Sequence, residues 1–182
     1  MKIRLMGYRC SGKSSLGRAL ALELGVPFRD TDRVLESRVG KSIQDMVTHE
    51  GWESFRAMER EVLRELLEME PAVIALGGGV VLDPVNRLAL RRQGLNVWLV
   101  ASAQTILERM AQDPESPLRR PALTSLGPEE EVRSLLRERE PLYREVAHVR
   151  VYTDHRPVEK LVRELLELLG RAVAETASAR GT

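Results

Sequence analysis

The chain has 182 residues, of which 43% are hydrophobic and 30% are charged, as in an ordinary globular domain with a sizeable core. Its 28 basic and 27 acidic side chains nearly cancel, so the charge gives no sign of a nucleic-acid-binding surface. The single cysteine, Cys10, excludes an intrachain disulfide. The chain has no run of about 18 apolar residues that could span a membrane. Lys2 and Arg4 interrupt the first apolar stretch, so it does not have the pattern of a secretory signal. We therefore expect a cytoplasmic protein without a membrane partner.

Short apolar runs and helical patterns alternate along the chain. The runs predict β-strands at residues 2–6, 26–29, 72–76, 95–100 and 148–153. The patterns predict helices at residues 14–24, 55–68, 86–93, 103–111, 129–139 and 158–169. This order predicts an α/β fold, an open parallel five-stranded sheet with helices on both faces. We expect one domain over residues 1–170 and a disordered tail over residues 171–182, which are rich in Ala, Ser and Thr.

Two stretches interrupt this alternation. Residues 30–53 form a polar, weakly helical insertion after the second predicted strand. Residues 112–127 are rich in proline and contain Arg119 and Arg120. Long irregular segments in compact domains often serve as binding elements or mobile lids. We therefore predict a substrate-binding insertion at about residues 31–60 and a lid at about residues 111–126.

A phosphate-binding loop stands between the first strand and the first helix. Residues 7–14, Gly-Tyr-Arg-Cys-Ser-Gly-Lys-Ser, match the pattern G-x-x-x-x-G-K-[ST] in the strand–helix context that the motif requires. Its backbone N–H groups and the helix N-terminus would cradle phosphates, while Lys13 would reach the β- and γ-phosphates and Ser14 would bind Mg²⁺. The predicted ATP-binding residues of this loop are Cys10, Ser11, Gly12, Lys13, Ser14 and Ser15. The Cys10 thiol is open to two interpretations, a reactive group or a small side chain that fits the turn.

Two carboxylates follow the second predicted strand, at Asp30 and Asp32. Ligands of open α/β sheets bind at the carboxyl ends of strands, so these side chains can meet a metal and a substrate hydroxyl beside the loop. Alternatively, they only cap a helix that starts near Arg33. The chain has no N-K-x-D motif and no D-x-x-G switch after the second strand, which favours a small-molecule kinase over a GTPase.

The order of short motifs resembles the shikimate kinase family from Lys2 to about Leu169. After the loop come D-T-D at residues 30–32, F-R-x-x-E at residues 55–59, G-G-G at residues 77–79, R-P-x-L at residues 120–123 and R-x-P-L-Y at residues 139–143. The resemblance implies a P-loop kinase of the nucleoside monophosphate kinase-like fold. It further implies Mg²⁺-dependent transfer of the ATP γ-phosphoryl group to the 3-hydroxyl of shikimate, a step towards chorismate and the aromatic amino acids.

The resemblance also implies a role for each matched residue. Asp32 is expected to bind the ring hydroxyls of shikimate and to accept the proton of the attacking one, and Asp30 to hold Mg²⁺ with Ser14. Catalysis is expected from Lys13, Asp32 and Arg120. Shikimate is expected to contact Asp32, Arg56, Gly77, Gly78, Gly79 and Arg139. The nucleotide is expected to contact Arg120 at its phosphates and Arg109, Arg156 and Pro157 near adenine. Two guanidinium groups suit the shikimate carboxylate because each can form a forked hydrogen bond.

Two departures and two rival functions remain open at this point. Many members of the family have glycine at the position of Cys10, and the segment from Arg109 to Arg120 is long for the family, so Arg119 is an alternative lid arginine. A gluconate or nucleoside monophosphate kinase would share the loop and the lid, and an ATP-sensing module would share the fold. The oligomeric state is expected to be a monomer.

Overall fold

The computed structural model describes residues 2–69, 71–92, 94–112 and 127–179. The strands are β1 (Ile3–Met6), β2 (Phe28–Asp30), β3 (Val73–Ala75), β4 (Leu95–Val100) and β5 (Val149–Tyr152). The helices are α1 (Lys13–Leu24), α2 (Thr31–Val39), α3 (Ile43–Glu68), α4 (Pro84–Arg92), α5 (Ala103–Gln112), α6 (Pro128–Val146) and α7 (Val158–Ala179). A short 3₁₀ helix at Val80–Leu82 follows β3.

The five strands form one parallel sheet in the order β2-β3-β1-β4-β5. Successive side chains of a strand point to opposite faces, and each face of this sheet has its own apolar core. On one face, Leu5 and Val97 pack with residues of α1 and α7. On the other face, Met6 and Trp98 pack with residues of α2, α3, α4 and α6. The predicted fold class, an open parallel sheet covered on both faces, is therefore confirmed.

The insertion after β2 is more regular than the sequence indicated. It contains α2 and the beginning of α3, and α3 bends at Gly51, whose φ of 83° is non-helical. The Asp30 side chain caps α2 by accepting hydrogen bonds from the backbone N–H groups of Asp32 and Arg33. A helix starting near Arg33 was one of the two interpretations of Asp30 and Asp32, and its apolar pattern is weak because only Thr31 and Leu35 are buried.

Two helices run further than their predicted ends. The α6 helix continues through Pro141 to Val146, because Tyr143 and Val146 are buried against the core beyond the proline. The α7 helix reaches Ala179, into the segment for which the sequence predicted a tail, and alanine and glutamate favour a helix there. The predicted lid begins where α5 ends; residues 113–126 lie outside the described residues, as do Arg119 and Arg120. Within the described ranges, no helix is both long and apolar enough to cross a bilayer.

Candidate active site

The phosphate loop connects the carboxyl end of β1 to the start of α1. A Cβ atom on Gly7 would lie 2.6 Å from the Leu99 carbonyl oxygen, so only glycine fits where the loop passes β4. The Lys13 ammonium donates hydrogen bonds of 2.8 Å to the carbonyl oxygens of Gly7 and Tyr8. The lysine thus lies folded over its own loop, close to where the loop would receive phosphates.

Cys10 occupies a loop position that suits glycine. Its φ of 59° falls in the left-handed region, where a side chain is disfavoured. Its side chain is partly exposed and packs beside the buried cluster that contains Ile106 and Tyr8. This packing favours the interpretation of Cys10 as a small side chain that fits the turn.

Ser14 and Asp30 meet directly at the carboxyl ends of β1 and β2. The Ser14 hydroxyl donates a 2.8 Å hydrogen bond to Oδ2 of Asp30, while Oδ1 of Asp30 caps α2. A hydroxyl and a carboxylate are hard oxygen donors, and Mg²⁺ in kinases commonly takes few protein ligands besides water and substrate phosphates. The pair therefore suits a metal that is also held by nucleotide phosphates. Among the described residues, no group of three or more His, Cys, Asp or Glu could hold a metal ion.

A pocket opens beside the loop. Its walls come from the loop, from α2 and α3, from the glycines after β3 and from α6. The residues that line it are Arg9, Asp32, Ile43, Trp52, Phe55, Arg56, Glu59, Gly77, Gly78, Gly79 and Arg139. All six residues predicted to contact the acceptor therefore lie together, although they come from four parts of the chain.

Arg56 is held at this pocket by residues of its own helix. Its Nη1 donates a 2.6 Å hydrogen bond to Oε2 of Glu59, one turn along α3. The guanidinium carbon lies 5.0 Å and 5.6 Å from the ring centroids of Phe55 and Trp52, within the range of cation–π contacts. Burial raises the pKa of Glu59 to about 7, although the positive charge of Arg56 opposes this shift.

Arg139 approaches the pocket from α6 and is bound less completely. Its Nη1 donates a 3.3 Å hydrogen bond to the carbonyl oxygen of Gly78, which also accepts a 2.5 Å hydrogen bond from the Tyr143 hydroxyl. Positions 139 and 143 share one helix face, so α6 presents both donors to the same carbonyl. Burial raises the pKa of Tyr143 above its usual value, so it remains a donor. The Arg139 side chain is buried, and its Nε has no hydrogen-bond acceptor within the described part of the chain.

The glycines after β3 leave the space that these side chains occupy. A Cβ on Gly77 would lie 2.6 Å from Oδ1 of Asp32, and one on Gly79 would overlap the guanidinium of Arg56. The Gly77 N–H donates a 2.8 Å hydrogen bond to the Thr31 hydroxyl, which ties the glycines to the start of α2. At Gly77 and Gly79 the absence of a side chain therefore lets Asp32 and Arg56 approach the backbone closely.

Comparisons with known proteins identify the family of this chain. Residues 9–170 match the shikimate kinase family. A shikimate kinase of Thermus thermophilus is 45% identical over 179 residues, covering 98% of this chain and 93% of the relative. A solved structure of shikimate kinase from Acinetobacter baumannii in complex with shikimate is 36% identical, with a TM-score of 0.88 and coverage of 94% of this chain and 93% of that one.

The chain belongs to the shikimate kinase family. This confirms the predicted family, the predicted class of enzyme, an ATP-dependent phosphotransferase with an alcohol acceptor, and the predicted use of ATP and Mg²⁺. A gluconokinase from Sinorhizobium meliloti is more distant, at 25% identity and a TM-score of 0.64, with coverage of 100% of this chain and 97% of that one. The comparisons therefore favour shikimate kinase over the gluconate kinase alternative.

The residues predicted near adenine lie beside the phosphate loop and the end of β5. Arg109 of α5 donates hydrogen bonds to the Cys10 carbonyl at 3.1 Å and to the Thr153 carbonyl at 2.6 Å. Arg156 donates a 3.1 Å hydrogen bond to the Tyr152 carbonyl and pairs with Glu164, and Pro157 directly precedes α7. Ser15, in the first turn of α1, is exposed.

Several residues of the site were missed in the sequence. Thr153 follows β5 and donates a 3.1 Å hydrogen bond to the Ser11 carbonyl, which braces the phosphate loop from the sheet edge. Trp52, Tyr8 and Arg9 also border the acceptor pocket or pack on its arginines. The sequence could have indicated Arg9, because it stands at one of the unspecified positions of the phosphate-loop motif. Thr153 had only its place after a strand, which many residues share.

Proposed function

We propose that this protein transfers the γ-phosphoryl group of ATP to the 3-hydroxyl of shikimate, giving shikimate 3-phosphate and ADP, in the route to chorismate and the aromatic amino acids. The observation that carries the proposal is one pocket that is lined by Asp32, by the arginines Arg56 and Arg139 and by bare glycine backbone. A ring with hydroxyls on one side and a carboxylate on the other matches this distribution of charge.

Shikimate would bind with its carboxylate towards Arg139 and Arg56 and its hydroxyls towards Asp32. Arg139 supports this orientation because it lines the pocket and its Nη1 donates a hydrogen bond to an uncharged acceptor, the Gly78 carbonyl oxygen. A charge-assisted hydrogen bond to a carboxylate would be stronger than this one. Arg56 is already paired with Glu59, which fixes the direction of its remaining donors.

Phosphoryl transfer would then depend on positioning and charge. Asp32 would accept the proton of the attacking hydroxyl, and Lys13 would leave its carbonyl partners to bind the transferring phosphoryl oxygens. Mg²⁺, bound by Ser14 and Asp30 together with the nucleotide, would neutralise charge on the phosphates. The lid arginine, Arg120 or the alternative Arg119, would add positive charge when ATP is bound.

A coupled assay of ADP release tests this function directly. We expect turnover with ATP, Mg²⁺ and shikimate, and little turnover with gluconate or with the methyl ester of shikimate. Comparable turnover with gluconate, or an ester phosphorylated as well as the acid, would contradict the assignment of the acceptor. Single-turnover rates of Arg119→Ala and Arg120→Ala decide between the two lid arginines, because the functional one loses more of the chemical step.

We further propose a cytoplasmic monomer of one domain, with the nucleotide and acceptor sites in the same chain. Sedimentation velocity at micromolar concentration tests this state. A dimer that loses activity on dilution would contradict it.

A further inference from the structure

Arg9 belongs to the phosphate loop and also lines the acceptor pocket. A Cβ on Gly78 would lie 3.4 Å from the backbone nitrogen of Arg9, so the loop touches the glycine wall at this residue. The arginine is more than nine-tenths buried, and its Nε has no hydrogen-bond acceptor among the described residues. Arg139, which lines the same pocket, has the same combination of burial and an unsatisfied Nε.

The two arginines share one aromatic contact. The guanidinium carbons of Arg9 and Arg139 each lie 5.7 Å from the ring centroid of Tyr8, which is fully buried. Both arginines also line the acceptor pocket, so each places a positive charge where an anionic ligand would bind. A carboxylate in this pocket would therefore be attracted by Arg9 as well as by Arg139.

Glu131 holds Arg9 in this position. It lies in the first turn of α6 and forms an ion pair with Nη2 of Arg9 across 122 residues of sequence, with side-chain exposures of 10% for Arg9 and 4% for Glu131. Removing two charges from water costs about as much as their attraction returns, so a buried ion pair is a weak source of stability. The ion pair between Arg9 and Glu131 is better explained by the orientation that it gives the arginine.

The acceptor pocket thus contains two arginines that are each oriented by a buried glutamate. Glu59 is buried and orients Arg56, and Glu131 is buried and orients Arg9. We propose that Arg9 is a third guanidinium that binds the acceptor carboxylate and that Glu131 is its positioning residue. This inference rests on the proposed function, and it places acceptor recognition partly on the phosphate loop itself.

Calorimetric titration of shikimate into nucleotide-free protein tests the pair. We expect Arg9→Gln to raise the Kd about 10- to 100-fold, the usual scale of losing a charge-assisted hydrogen bond. Glu131→Gln should raise the Kd by a smaller factor, with Glu131→Asp closer to the wild type. Because Glu131 acts through Arg9, adding Glu131→Gln to Arg9→Gln should weaken binding no further.

Glu130→Gln is the matched control, because Glu130 lies in the same turn and its ion pair with Arg137 is exposed. Its Kd should stay within about twofold of the wild type, since exposed ion pairs contribute little. Thermal melting of each variant separates weaker binding from unfolding. Unchanged shikimate affinity in folded Arg9→Gln overturns the proposal, and additive effects of the two substitutions overturn the positioning role. A wild-type protein that does not bind shikimate would instead refute the proposed function.

Discussion

At the scale of single residues, the arginines of the acceptor pocket differ in their partners. Arg139 is the one for which the described residues supply no carboxylate partner. Arg56 shares a hydrogen bond with Glu59. For Arg139, the described residues supply a carbonyl oxygen and the face of Tyr8 but no ion pair. An incoming carboxylate would therefore gain most from Arg139, whose charge has the weaker protein counterpart.

Arg139→Ala tests this difference. It should weaken shikimate binding by about 2–5 kcal/mol, or roughly 30- to several-thousand-fold, because a carboxylate would be left poorly paired in a partly desolvated pocket. Arg56→Ala should also weaken binding, and Arg56→Lys should rescue little because a point charge cannot replace the fork. Titration of shikimate provides the measurement and titration of ATP the control. Normal shikimate affinity in these variants would rule out the carboxylate clamp.

The raised pKa of Glu59, about 7, gives a second expectation at this scale. The folded state binds the Glu59 proton more tightly than the unfolded state does, so this stabilisation is complete below about pH 4.5 and is lost as the pH rises to about 7. Glu59→Gln has no such proton to lose. As the pH rises from 4.5 to 8, the wild type should therefore lose about 2–4 kcal/mol of unfolding free energy relative to Glu59→Gln.

Denaturant unfolding of both proteins across that pH range measures this gain. Glu50→Gln is a suitable control, because Glu50 is exposed and its pKa is lowered by its hydrogen bond to Lys41. A gap between wild type and Glu59→Gln that stays constant with pH would show that Glu59 is ionised throughout.

At the scale of elements, the start of α2 joins the proposed metal site to the proposed acceptor site. One oxygen of Asp30 caps the helix, and the other accepts the hydrogen bond of Ser14. Asp32 lies in the first turn of the helix that this cap fixes. The two interpretations made from the sequence, a helix cap and a metal ligand, are therefore compatible in one carboxylate.

Substitutions at Asp30 and Asp32 should separate these roles. Asp30→Asn keeps a good capping side chain and should mainly raise the Mg²⁺ requirement, whereas Asp30→Ala should also cost about 1 kcal/mol of stability. Asp32→Asn should lower kcat at least about 100-fold, because an amide cannot take the proton of the hydroxyl. The measurements are kcat against Mg²⁺ concentration and denaturant unfolding. Rescue of the Asp32 variant, and not the Asp30 variant, by high Mg²⁺ would mean that the roles are exchanged.

At the scale of the whole molecule, the sheet order brings two binding sites to one edge. The β1 strand lies between β3 and β4, so the phosphate loop follows a central strand, with the glycine wall on one side and β4 on the other. Both sites thus lie at the carboxyl ends of parallel strands, as expected for open α/β sheets. The nucleotide and the acceptor can then bind independently yet react with each other.

Ligand-induced stabilisation can test this independence. Either MgATP or shikimate at about 100 times its Kd should stabilise the wild type by about 2.7 kcal/mol. Lys13→Met should lose most of the MgATP effect and nearly all turnover, but it should keep the shikimate effect, because Lys13 lies on the phosphate loop, where it donates hydrogen bonds to the carbonyl oxygens of Gly7 and Tyr8. Thermal melting with each ligand, together with steady-state rates, gives the answer. Near-normal turnover in a folded Lys13→Met protein would refute the phosphate-loop assignment.

Local patterns in the sequence determined the fold class and much of the candidate site. The strand–loop–helix context located Lys13 and Ser14, and the position after a strand located Asp30. The pair of Arg56 and Glu59 could be predicted because a helix brings residues three apart onto one face. Such features depend on neighbours in the chain, so the sequence carries them directly.

Only the tertiary structure decided which distant residues meet. Arg9 and Glu131 are 122 positions apart, and Glu131 stands in a run of three glutamates whose other members are exposed. Nothing in that run distinguishes the buried member, because the packing of α6 against the loop decides which side of the helix loses its water. The approach of Arg139 to Gly78 has the same origin, since it depends on how α6 crosses the end of β3. Sequence patterns record local geometry, whereas these contacts depend on the packing of whole elements.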